Sequence, residues 1–278
     1  MLHKLSSPRL AVMLLLAASV LATAACRQLE RLTLVRPSAD RGEFTQVAPT
    51  YDVSGKTGKS ARNQSSAQLL AAASSFYAAG RLGDARIKAQ QALKVDPSSG
   101  DAHTVLGLIA STNGQTPDAG LHYQKALEIA PGNGAYANNY GIWLCSNGRA
   151  KESLAWFDKA LLDPAYSTPV TALANAGTCA QQAGQLVLVE AYWRRVLAIA
   201  PEMPSALSAM TSLQFGEAHY MDARAFVQRW LAIAPQDVNA LQLAVQIEQK
   251  QGDNVAAQRY LLRLQAITPG ASLAPSTQ

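Results

Sequence analysis

Three cysteines and four histidines are the residues of this 278-residue chain best suited to nucleophilic, redox or metal chemistry. Cys145 and Cys179 stand 34 residues apart. In an oxidising compartment such a pair can form a disulfide if the α-carbons approach to about 5.5 Å. The other outcome is two reduced, buried cysteines acting as small hydrophobes. Cys26 follows the small residues Ala22, Thr23, Ala24 and Ala25. His3 lies near the start, and His103, His122 and His219 are placed in separate repeats with no ligand spacing, so no metal site is expected. Residues 55–60, Gly-Lys-Thr-Gly-Lys-Ser, imitate the end of a phosphate loop. The first glycine such a loop requires falls at Val53, and no strand precedes it. No nucleophile, base and orienting group come together in the pattern, so neither an enzyme nor a cofactor is expected.

The elements that must position these residues follow from a period. Pro97, Pro131, Pro201, Pro235 and Pro269 are 34 residues apart except for one step of 70, which holds an irregular copy ending at Pro164. A period of 34 marks tetratricopeptide repeats, each a helix, a turn and a second helix that cannot bury its apolar face alone. The chain is therefore expected to be all-α, a superhelical solenoid of six helix-turn-helix repeats. Small residues recur seven apart on one stripe of the second helix: Ala85 and Ala92, Ala119 and Ala126, Ser153 and Ala160. Trp230 and Leu264 replace the small residue in copies five and six, the atypical end of the array. Gly80, Gly114, Gly148, Gly184 and Gly252 mark the turn between helices, and copy five has Ala218 instead. The 34-residue interval puts Cys145 and Cys179 on the first helices of copies three and four, which neighbouring repeats pack side by side.

Lys4 and Arg9, the uncharged stretch 10–25 and the small residues before Cys26 form an export signal. Its sixteen uncharged residues fall short of the ~20 that a membrane span needs. Ala24-Ala25-Cys26 resembles a bacterial lipoprotein box, which implies that Cys26 is acylated. Cleavage by an ordinary signal peptidase would instead leave a soluble periplasmic protein. The expected organisation is a signal peptide over 1–25, a lipid-anchored flexible tether over 26–65, six repeats over 66–271 and a disordered tail over 272–278. Residues 27–65 hold seven basic and four acidic side chains, and the rest of the chain to the C-terminus holds fifteen of each. The basic excess thus belongs to the tether, and the repeats show no basic stripe with interleaved aromatics, so nucleic acid is not an expected partner.

Asn138-Asn139-Tyr140-Gly141 with Leu144-Cys145 after it, and Asn175-Ala176-Gly177 followed by Cys179, together with Cys26 and six repeats, resemble the type IV pilus biogenesis and stability lipoproteins of the PilW/PilF family. The resemblance implies a pilotin. Such a protein is lipid-anchored to the periplasmic face of the outer membrane, binds secretin subunits and promotes their localisation and assembly. No small-molecule substrate is implied. Scaffolding another envelope assembly machine or regulating a periplasmic enzyme are the rival roles. In a tetratricopeptide superhelix the first helices line the partner groove. That geometry nominates Leu70, Ser74 and Tyr77 in copy one, Thr104 and Leu108 in copy two, and Asn138 and Ile142 in copy three. No Lys or Arg stands among them, so the groove is expected to be apolar. Asn139 and Asn175 occupy equivalent places and are expected to satisfy backbone groups at helix junctions.

Overall fold

A computed structural model describes residues 65–268. The leader, most of the tether including Cys26, and the tail lie outside the described residues. Within them are twelve helices and no strand: α1 Ser66–Ala78, α2 Leu82–Val95, α3 Gly100–Thr112, α4 Thr116–Ile129, α5 Gly134–Ser146, α6 Ala150–Leu162, α7 Pro169–Gln182, α8 Leu186–Ile199, α9 Pro204–Gly216, α10 Tyr220–Ile233, α11 Val238–Lys250 and α12 Asn254–Ile267. They form six pairs, each first helix packing mainly on its own second helix and each second helix on the next first helix.

Local chemistry sets the ends. Four first helices have a side-chain cap: Ser65, Ser99, Asn133 and Asp237 accept from the backbone N–H three residues on, satisfying a donor that the helix leaves unpaired. At Ser65 the cap is reciprocal, with Gln68 Oε1 accepting from the Ser65 N–H. α7 and α9 use an early proline instead, Pro169 and Pro204, whose missing N–H costs nothing there. Between helices, Gly80, Gly114, Gly148, Gly184 and Gly252 have φ between 69° and 78°. Ala218 keeps that left-handed geometry at φ 59°, so copy five retains the turn without the glycine.

The small stripe is the seam of each pair. Ala85, Ala92, Ala119, Ala126, Ser153 and Ala160 have no exposed surface. Opposite them, glycines on the first helices admit aromatic rings from the second: Gly107 beneath Tyr123, Gly141 beneath Phe157 and Gly177 beneath Trp193. In copies five and six, Trp230 and Leu264 are buried in one apolar cluster with Leu207, Val227, Leu241 and Ile247. The longer connection after Pro164 is packed: Tyr166 lies over Gly134, and Asp163 accepts from the Gly134 N–H at 2.7 Å.

Candidate functional site

The first helices that carry the nominated groove residues are α1, α3 and α5. Their neighbours along the array are linked by side chains. Tyr77 Oη and Thr112 Oγ1 are 3.0 Å apart, joining α1 to α3. Asn175 Nδ2 donates to Asn138 Oδ1 at 3.1 Å, joining α5 to α7. Cys145 and Cys179 join the same two helices as a disulfide, with α-carbons 5.9 Å apart, inside the distance such a bond requires. Both cysteines are buried in a cluster with Ile142, Phe157, Leu173 and Trp193. The 34-residue interval predicted this juxtaposition.

Leu70, Thr104, Leu108, Asn138 and Ile142 are buried, whereas Ser74 and Tyr77 keep part of their surface. Thr104 Oγ1 donates to Gly100 O within α3, spending its hydroxyl on its own helix. Ser74 Oγ and Asn138 Nδ2 have no hydrogen-bond partner. Asn139 and Asn175 are both buried, and Asn175 Nδ2 donates to a side chain of the neighbouring repeat.

Two arrangements escaped the sequence. The first is an aromatic cluster in copy three: Tyr140 stacks on Trp143 and takes Trp156 edge-on, with ring centroids 5.4 and 4.9 Å away. Lys159 Nζ lies 3.9 Å from the Trp156 ring. Residues at these positions are aromatic in this copy alone as a set, so the period gives no signal for it. The second corrects the placing of the histidines in separate repeats. His103 and His122 belong to α3 and α4 of one repeat, and their Nδ1 atoms are 3.1 Å apart. Burial is the first cause holding both imidazoles below their ordinary pKa, assisted by Lys125 at His103 and by His103 itself at His122. Glu128 opposes the shift at His103. At His122, Asp118 opposes it and Arg86 adds to it.

Burial also raises Tyr136, whose Oη donates to Asp101 Oδ1 at 2.7 Å, and pushes Tyr192 up to about 12 beside Asp158. These phenols are structural ties between neighbouring repeats.

The comparisons with known proteins agree with this architecture. Residues 70–134 match the family model for the tetratricopeptide repeat. The crystal structure of PilW, a widely conserved type IV pilus biogenesis factor, is 32% identical over 76% of this chain and 96% of that one, with a TM-score of 0.65. The chain belongs to the PilW family. PilF of Pseudomonas aeruginosa is 26% identical over 72% of this chain and 90% of its own, with a TM-score of 0.63. YrrB, a tetratricopeptide protein with an unusual peptide-binding site, shares the fold at 19% identity and a TM-score of 0.52, covering 61% of this chain and 87% of its own. No curated protein sequence matches. As a PilW-family chain, the protein carries a scaffold typical of protein-interaction proteins.

Proposed function

We propose that the protein is an outer-membrane lipoprotein that binds type IV pilus secretin subunits and promotes their localisation and multimerisation. Membership of the PilW family, with 96% of the crystallised PilW chain covered at 32% identity, carries this reading. The parts suit the task without any chemistry. Acylation of Cys26 fixes the address, since each buried methylene contributes about 0.8 kcal/mol. The polar segment after it gives reach, and the first helices offer an apolar face to another chain. On those helices Ser74 and Tyr77 keep exposed surface and are the proposed contacts, whereas Leu70, Thr104, Leu108, Asn138 and Ile142 are buried.

The test is fractionation of secretin in cells lacking the protein, complemented with the native chain or with Cys26→Ser. Outer-membrane multimers restored only by the native chain are expected. Normal multimers in the deletion strain would sink the secretin role and turn attention to another envelope assembly. A Tyr77→Ala chain should fold, reach the membrane and restore fewer multimers; full restoration removes that face from the contact.

A further inference from the structure

His103 and His122 come from two helices of one repeat, nineteen residues apart, and meet at their Nδ1 atoms rather than along one helix face. Their ring centroids are 5.4 Å apart with the planes tilted by 39°, so the rings approach almost head-on. Both side chains are half-buried and keep access to solvent. We propose that this pair is an open two-histidine site for a late first-row divalent ion, Zn2+ or Cu2+.

The spacing carries the proposal. Zinc–imidazole bonds of about 2.0–2.1 Å at a tetrahedral angle hold two nitrogens about 3.3–3.4 Å apart. The observed 3.1 Å is within a few tenths of an ångström of that. Without an ion, one Nδ1–H donates to the other Nδ1. Binding swings each half-exposed ring so that both lone pairs meet at the ion. The histidine that had donated passes its proton to the Nε2 position, so two neutral imidazoles remain and nothing is oxidised or reduced. Burial favours the neutral form that a metal needs. Of the charges facing the pair, Glu128 and Asp118 favour a cation, and Lys125 and Arg86 oppose it. Among the described residues no group of three potential ligands gathers, so water completes the coordination and the site stays open.

Titration calorimetry of the full chain with Zn2+ at neutral pH is expected to show an ion bound, with affinity about tenfold or more weaker in His103→Gln and in His122→Gln. Any contribution from Cys26 or His219 survives both substitutions and so separates from this site. Electron paramagnetic resonance of the unsubstituted chain with Cu2+ should show splitting from two nitrogens. Unchanged Zn2+ affinity in either variant, or a copper signal lacking the two-nitrogen pattern, overturns the site.

Discussion

Gly177 and Trp193 occupy one space: a Cβ added at Gly177 would lie 2.7 Å from the indole Cε2. The indole is itself buried, at 3% exposure, among Cys179, Val189 and Met210. Gly177→Ala therefore trades a small gain in helix propensity for overpacking, which costs typically 1–3 kcal/mol. A lower urea midpoint with an unchanged slope is expected; an unchanged midpoint would mean that α7 and α8 separate without cost. Gly141→Ala, with its added Cβ 2.9 Å from Phe157, should behave alike.

The disulfide between Cys145 and Cys179 closes a loop whose ends are 34 residues apart in sequence. In the chain-entropy model that constraint on the unfolded chain stabilises by roughly 3–4 kcal/mol. Replacing both cysteines by alanine should lower stability by an amount of that order, with most of the change in the folding of copies three and four. Hydrogen exchange resolves where: loss of protection should centre on α5 and α7. A uniform loss along the array would show instead that the bond governs the whole solenoid cooperatively.

The period made the fold legible because every copy repeats the same local solution. Proline ends the second helix, a left-handed residue turns the chain, and small residues close the seam at Ala85, Ala119 and Ser153. The cysteine pair was legible for the same reason, since one period separates two adjacent helices. The His103–His122 contact was not. It depends on how α3 and α4 cross within one repeat, and nineteen residues correspond to no helical or repeat spacing. The residues nominated from repeat geometry do lie on first helices, yet periodicity alone did not reveal that Leu70, Thr104, Leu108, Asn138 and Ile142 are buried there.

Glu248 on α11 is 2% exposed and pairs with Arg224 of α10, which also reaches Asp253 at 3.3 Å. A buried carboxylate stripped of its partner is uncompensated, a loss worth about 3–5 kcal/mol in such pairs. Arg224→Met should destabilise copies five and six accordingly. Adding Glu248→Leu should recover much of that loss, because the second change removes the orphaned charge. No recovery in the double variant would mean that Arg224 stabilises through packing of its stem rather than through the pair.

His103 and His122 make stability pH-dependent in a fixed direction. Both are held below the ordinary histidine value near 6.5, so the unfolded chain binds protons more readily in the range below it. Their contribution is fully present above that value and is lost as pH falls from it toward the lowered folded values. Urea midpoints at pH 8 and pH 5 should therefore diverge more in the native chain than in His122→Gln. Equal divergence would assign the acid sensitivity to carboxylates elsewhere.

Ala218 is a non-glycine residue with φ in the left-handed region, at 59°, where the five equivalent turns have glycine. An L-residue with a Cβ is strained there by about 1–2 kcal/mol. Glycine relieves that strain but leaves the unfolded chain freer, returning about 0.4–1 kcal/mol of the gain. Ala218→Gly should still raise stability by about 0.5–1 kcal/mol, the difference between the two effects. Chemical denaturation checks the sign, and a destabilised variant would show that chain entropy outweighs strain at this turn.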